Sequence, residues 1–140
     1  MFSSNSNEWG TPQELYDELN KEFNFTLDPC STEQNHKCKK FYTQKDDGLS
    51  KSWANEVAFV NPPYGREIGL WVKKCYEESV SGGAICVMLI PARTDTKYFH
   101  KYIYHKSEIR FLEGRVKFVN LDSGAKSQSA PFPSMIVVFR

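Results

Sequence analysis

The residues most suited to chemistry in this 140-residue sequence are Asn61-Pro62-Pro63-Tyr64, which follow the apolar run Val57-Ala58-Phe59-Val60. An asparagine carbonyl is a good hydrogen-bond acceptor, and a proline stiffens a loop while leaving its own carbonyl free. Two acceptors side by side can each take one hydrogen of an exocyclic amine and draw the nitrogen lone pair out of its ring. A planar sp2 nitrogen needs that before it can attack a methyl donor. Asparagine is neutral and no strong base, so such a loop works by positioning and by stabilising positive charge on nitrogen, with proton loss after transfer. Asn61, Pro62, Pro63 and Tyr64 are therefore the candidate catalytic residues, with Tyr64 as the platform on which a base taken out of a duplex stacks. By itself the loop fits adenine N6, a guanine N2 in RNA or a protein glutamine equally, or else a rigid turn in a catalytically silent nucleic-acid-binding module. No metal is required.

A loop of this kind must be held by rigid elements, and the sequence supplies them. Val57–Val60 is a continuous apolar run of strand length, as expected for a strand buried on both faces. Residues 68–80 carry Ile68, Trp71, Val72, Cys75 and Val80 at helical spacing, closed by Gly82-Gly83, and Ala84 to Ile90 is a second apolar run that stops at Pro91. Strand, helix and strand make a βαβ unit. Upstream, Thr11-Pro12-Gln13-Glu14 has the form of a capping box before a helix over about 12–22, and Phe25-Thr26-Leu27 is a short extended segment ended by Asp28-Pro29. Residues 31–52 are polar and Lys-rich, with a short strand at Phe41-Tyr42 and a turn at Asp46-Asp47-Gly48. Asp95 or Thr96 caps a helix to about Tyr104, and strands follow at Glu108–Leu112, Arg115–Val119 and Ser134–Phe139. The alternation predicts an α/β fold with a mainly parallel sheet and an antiparallel C-terminal edge, in which ligands bind beyond the C-terminal strand ends. Asp28, Asn61 and Pro91 to Arg93 all fall at such ends.

The motifs, taken in order, are Trp9-Gly10-Thr11-Pro12, Asp28-Pro29-Cys30, Asp47-Gly48-Leu49 with Trp53, Asn61-Pro62-Pro63-Tyr64-Gly65, Pro91-Ala92-Arg93-Thr94-Asp95-Thr96, Phe111-Leu112-Glu113-Gly114-Arg115 with Phe118, and Pro133-Ser134. As a set they resemble the phage-type DNA N6-adenine methyltransferases of the Dam-like family. The resemblance covers most of the chain. It implies a compact, single-domain, Rossmann-like S-adenosylmethionine methyltransferase fold, DNA adenine as substrate and S-adenosylmethionine as cofactor. The Gly-rich loop that many such enzymes place after their first strand is absent, and Asp28-Pro29-Cys30 stands in its place. The cofactor carries no phosphate, so a phosphate cradle is not required. Asp28 can accept a hydrogen bond from its ammonium or a ribose hydroxyl. Tyr98 stands where the resemblance implies a Trp.

Candidate cofactor-binding residues are Trp9, Thr11, Pro12, Asp28, Pro29, Cys30, Asp46, Asp47 and Asn61. Trp9 either covers the cofactor or packs as a hydrophobic staple, Thr11 and Pro12 are equally explained by helix capping, and only one of Asp46 and Asp47 is expected to reach the cofactor. Trp53, Trp71 and Phe111 are expected in the core, and His36, His100 and His105 on the surface.

The net charge of +1 gives no global attraction to nucleic acid, but the charge is uneven. Residues 1–36 hold seven acids against one Lys, whereas Lys97 to Lys126 hold seven Lys/Arg against three acids, and Lys37 to Lys51 form a second basic stretch. Such stretches suit phosphate tracking if they share a face. Arg93, Arg115, Lys117 and Lys126 are the candidate DNA contacts, with pairing to protein acids as the alternative for the two arginines. The four cysteines show no C-x-x-C spacing, and Cys30, His36 and Cys38 lack a fourth ligand, so no metal site is expected. One domain over 1–140 with a flexible 1–8, a cytoplasmic location and DNA as partner complete the reading. Site readout is expected from Asn35–Ser52 and Asn120–Ala130 or from a second copy in a homodimer.

Overall fold

A computed structural model describes residues 9–120 and 126–140. The expected flexible segment 1–8 lies outside the described residues, as does 121–125 of the expected readout loop. In chain order the elements are β1 (Trp9–Gly10), α1 (Gln13–Phe23), β2 (Val57–Val60), α2 (Ile68–Gly82), β3 (Ile85–Pro91), β4 (Glu108–Phe111), β5 (Lys117–Asn120), β6 (Lys126–Ser129) and β7 (Ser134–Phe139). A 3-10 turn over Gly48–Ser50 and a π-helical turn over Phe99–Ile103 complete them.

The main sheet has the order β2-β3-β7-β4, and β1, β5 and β6 form a smaller sheet. Apolar residues along the three central strands alternate between two cores. Ala58, Val60, Cys86, Met88, Ile90, Met135, Val137 and Phe139 join Trp71, Val72 and Cys75 of α2 on one face. Phe59, Val87, Leu89, Ile136 and Val138 join Tyr16, Leu19 and Phe23 of α1 and Phe118 of β5 on the other. Both faces are thus covered, which is why these strands are apolar runs and not alternating ones.

The expected mainly parallel sheet needs correction. Among the described residues only β2 and β3 form a parallel ladder, while β7 pairs antiparallel with both β3 and β4. The expected antiparallel edge is wrong in place as well, because β7 is interior and β4 is the edge. Strand-forming residues can be read from an apolar run, but the direction in which a run enters the sheet depends on where the connecting chain returns. On the other side of β2, Leu27 forms a parallel bridge with Ala58, and Asp28 one with Phe41. The ends after Asp28, Val60 and Pro91 therefore share one side of the sheet.

Local expectations fare unevenly. Helix α1 starts one residue later than expected, and Pro12 is its N-cap without a side-chain cap bond, so the capping box does not form. The hydroxyl of Thr11 is used elsewhere. The segment after Pro91 is capped by Thr96, whose Oγ1 accepts from the Phe99 N–H, but it widens into the π-helical turn. β1 was not expected, and residues 126–129 of the expected readout loop are β6, a hairpin partner of β5. Trp53 and Trp71 are buried, whereas Phe111 is 64% exposed, because β4 is an edge strand with a partner on one side only. His36, His100 and His105 are exposed. Among the described residues no helix is long and apolar enough to cross a membrane.

Candidate active site

Asn61 follows the last residue of β2, and its side-chain amide is held at both ends. Its Nδ2 donates to Thr11 Oγ1 at 3.0 Å, and its Oδ1 accepts from the Tyr64 hydroxyl at 2.8 Å. The Tyr64 oxygen also lies 2.9 Å from the carbonyl of Leu89 in β3, so one phenolic hydrogen serves two acceptors. Burial raises the Tyr64 pKa well above its ordinary value, keeping the phenol protonated. The Tyr64 ring packs edge-on against Phe118 and Phe132, with centroids 5.9 and 5.6 Å away. Tyr64 thus lies next to Asn61, and its hydroxyl occupies the Asn61 acceptor. Pro62 is buried and Pro63 half-buried. Gly65, at φ +144°, makes the turn from this loop toward α2 in a conformation that other residues rarely adopt.

Two adjoining cavities open beside the loop. The smaller is lined by Thr11, Asp28, Asn35, Lys37, Phe59 and Asn61 among others. The larger is lined by Pro29, Asp47, Leu49, Pro63, Glu67 and Trp71 among others, and Cys30 and Ser31 belong to both.

The floor of the smaller cavity is Asp28, which is 4% exposed. Its carboxylate accepts from the Lys37 backbone N–H at 2.8 Å. Burial outweighs this bond and pushes its pKa up to about 6. Lys37 is the cation of this cavity. Its ammonium donates to Gln13 Oε1 at 2.7 Å, and burial lowers its pKa, with Asp28 opposing the shift. Burial raises the Cys30 thiol far above its usual range. The Cys38 sulfur faces the Tyr16 hydroxyl at 3.5 Å and the His36 ring stacks on Phe41.

At the larger cavity the two turn aspartates separate. Asp46 closes its own turn, accepting from the Thr43 N–H and hydroxyl. Asp47 lines the cavity, adopting φ 55° just before the 3-10 turn. Of the remaining sequence candidates, Thr11, Pro29 and Cys30 line cavities, whereas Pro12 caps α1 and is not among the lining residues. Trp9 pairs through its backbone with Asn120, and nothing of its side chain is described.

Sequence reasoning assigned Lys37 to a DNA-tracking basic stretch and Asn35 to a readout loop, and missed that both line the smaller cavity, because the polar segment that holds them carries no periodic signal. It also missed Glu67 and Trp71, whose four-residue spacing at the start of α2 was a usable sign that one helix face follows the loop into the site. Trp71 was assigned to the core. It is buried, but it also walls the larger cavity, and its indole Nε1 has no hydrogen-bond partner among the described residues.

Arg93, Arg115 and Lys117 are exposed and form no ion pair among the described residues. The acid-paired alternative for the two arginines is therefore not seen. Arg110 behaves differently, clamped by Glu22 and Glu108. The Arg93 guanidinium lies 5.8 Å from the centre of the Phe132 ring, the ring that packs on Tyr64. Lys126 is placed in β6, and nothing of its side chain is described.

The sequence pattern of the DNA N-6-adenine-methyltransferase (Dam) family matches residues 2–140. The chain is 30% identical over 134 residues to the DNA N-6-adenine-methyltransferase of Haemophilus phage HP1 (strain HP1c1), covering 94% of this chain and 77% of that protein. It is 29% identical over 149 aligned positions to the DNA N-6-adenine-methyltransferase of Escherichia phage T1, covering 94% of this chain and 62% of that one. A putative methyltransferase of Escherichia coli K12, YfdM, is 34% identical over 64 residues, 41% of this chain and 70% of that protein. With a match that runs nearly from end to end, the chain belongs to the DNA N-6-adenine-methyltransferase (Dam) family.

Proposed function

We propose that the chain transfers a methyl group from S-adenosylmethionine to N6 of an adenine turned out of DNA, with the two joined cavities holding the cofactor and Asn61 holding the base. The observation that carries this reading is the position of the Asn61 amide, fixed by Thr11 and Tyr64 at the wall of the smaller cavity. The loop alone left three sp2 nitrogens open, and the family favours adenine.

The cavities fit S-adenosylmethionine by their chemistry. A zwitterionic amino-acid end needs a carboxylate and a cation, which Asp28 and Lys37 offer in the smaller cavity. A nucleoside end needs apolar walls with an acceptor for ribose hydroxyls, which Leu49, Pro63, Trp71 and Asp47 offer in the larger. The cofactor supplies the methyl as an electrophile on a positively charged sulfur. The protein's part is to place N6. Asn61 Oδ1 accepts one amine hydrogen and the Pro62 carbonyl the other, which localises the lone pair on N6 and compensates the charge that builds there. Asn61 Oδ1 becomes available when the Tyr64 hydroxyl keeps only its second acceptor, Leu89 O. The Tyr64 ring, Phe132 and Arg93 flank that position, and Arg93, Arg115, Lys117 and Lys126 supply phosphate contacts.

The Rossmann-like reading of the fold is supported by strand direction. The Leu27 bridge, β2, β3 and β4 run one way, and β7 alone is reversed. We read 1–140 as one methyltransferase domain acting in the cytoplasm on DNA, with a second copy as the means of lengthening the DNA footprint.

The test is base-resolved mapping of DNA treated with the protein and labelled S-adenosylmethionine. N6-methyladenine is the expected product, and Asn61→Ala is expected to lose turnover by at least about a hundredfold while keeping the parent's fold by circular dichroism. Parental turnover in that variant, or methyl label on any other base, refutes the assignment.

A further inference from the structure

We propose that Thr11 is a positioning residue that couples cofactor occupancy to the orientation of the Asn61 amide. The inference rests on the reading that the two cavities hold the methyl donor. Thr11 is 4% exposed, lies between β1 and α1, and lines the smaller cavity together with Asp28 and Lys37. Pairing of Gly10 with Val119 fixes the backbone just before it.

A threonine hydroxyl has one hydrogen and two lone pairs, and an asparagine amide has nearly the same shape when turned over. In the arrangement seen, Thr11 accepts from Asn61 Nδ2 and donates to nothing among the described residues. The turned arrangement also satisfies its groups. Thr11 then donates to Oδ1, Nδ2 donates to the Tyr64 oxygen, and the Tyr64 hydroxyl donates to Leu89 O, 2.9 Å away. The two settings use the same partners, so the protein without ligand has little to choose between them. Only the first aims Oδ1 at an amine.

An anionic acceptor in the smaller cavity removes the ambiguity. A hydroxyl bonded to an anion forms a stronger bond than one bonded to a neutral amide, so the Thr11 hydrogen turns to the anion. Thr11 can then only accept from Asn61, Nδ2 must face it, and Oδ1 is left for the base. The carboxylate of the cofactor's amino-acid end is the acceptor of this kind, and Lys37 is the cation that draws it to the same cavity.

This predicts a base preference that depends on both the carboxylate and the Thr11 hydroxyl. Adenine offers a hydrogen-bond donor at position 6, and hypoxanthine offers an acceptor there. Affinities are measured by fluorescence anisotropy on a duplex carrying either base at a mapped target site. Each is read with no ligand, with saturating S-adenosylhomocysteine, which keeps the carboxylate, and with saturating 5′-deoxy-5′-methylthioadenosine, which lacks it. For the parent protein, S-adenosylhomocysteine is expected to raise the adenine-to-hypoxanthine ratio by about tenfold, and the carboxylate-free ligand to leave it nearly unchanged. Thr11→Val, which keeps the shape and removes the hydroxyl, is expected to lose that rise, and Thr11→Ser to restore it.

The proposal is overturned if Thr11→Val keeps the parental rise, or if both ligands change the parental ratio equally. Should Thr11→Val fail to fold, the comparison of the two ligands on the parent protein still decides. If the parent shows no transfer to adenine N6, it is the functional reading that fails, whereas N6 transfer with an unchanged ratio sinks the coupling alone.

Discussion

Gly48→Ala is the substitution for which the geometry gives the clearest expectation. A Cβ at Gly48 would stand 2.3 Å from the Pro29 carbonyl oxygen and 3.3 Å from both the Pro29 carbonyl carbon and Cη2 of Trp71. Real Cβ atoms essentially never come closer than 3.0 Å, so something must shift by most of an ångström. Neither neighbour is free to do so. Pro29 is held between the Asp28 and Ser31 backbone bonds to Lys40 and Tyr42, and Trp71 is stacked on Trp53, whose indole donates to Gly48 O at 3.0 Å. Forcing a methyl into such a packed place costs about 1–3 kcal/mol, and the gain of about 0.4–1 kcal/mol from a stiffer unfolded chain offsets part of it. The expected net loss is about 1–2 kcal/mol, or a fall in melting temperature of roughly 3–8 °C. Urea unfolding at 25 °C reads it as a lower midpoint with an unchanged slope. Pro29, Gly48 and Trp71 all line the larger cavity, so calorimetric affinity for S-adenosylmethionine should fall in the same variant. Gly82→Ala at the end of α2 is the control. Its Cβ would meet Ala54 Cα at an ordinary 3.5 Å, so the stability should stay level or rise by up to about 1 kcal/mol. A Gly48→Ala protein with the parental midpoint and affinity refutes the reasoning.

Asp28 has a pKa of about 6 in the folded chain, raised by burial above the ordinary value of 3.8. The folded state therefore holds this proton more tightly than the unfolded chain, and the stability Asp28 contributes is greatest below its unfolded value and is lost as pH rises through about 6. Asp28→Asn does not titrate, so the parent-minus-variant difference in unfolding free energy should drop by about 3 kcal/mol between pH 3.5 and 7. A flat difference rejects a buried carboxylate. In the same pH range, calorimetric affinity of the parent for S-adenosylmethionine should weaken as pH falls below about 6, because a protonated Asp28 no longer attracts an ammonium. For DNA, Arg93→Ala should lower affinity and make the slope of log affinity against log salt shallower by about 0.9, the signature of one lost phosphate contact. An unchanged slope removes Arg93 from the backbone contacts.

What the sequence determined by itself is the place of the loop after Val60 and the identity of the buried strands. Val57–Val60, the run from Ile85 to Pro91 and Ser134–Phe139 are legible because a strand covered on both faces must be apolar throughout. Asn61 and Asp28 could be placed at strand ends because Pro62 and Pro29 follow them and end the ladder. The tertiary structure decided the rest, for a physical reason common to each case. Strand direction depends on where the chain returns, so β7 could not be known to enter the sheet reversed between β3 and β4. A hydroxyl takes whichever partner the fold brings near, so Thr11, read as a cofactor contact or equally a helix cap, bonds to Asn61, fifty positions away. Neighbouring aspartates differ by the turn that carries them, so only the fold sends Asp46 back to Thr43 and leaves Asp47 at the cavity. Lys37 comes to the cavity wall by long-range packing that leaves no mark in local spacing, whereas Trp71 comes to it on the helix face that its four-residue spacing from Glu67 marks.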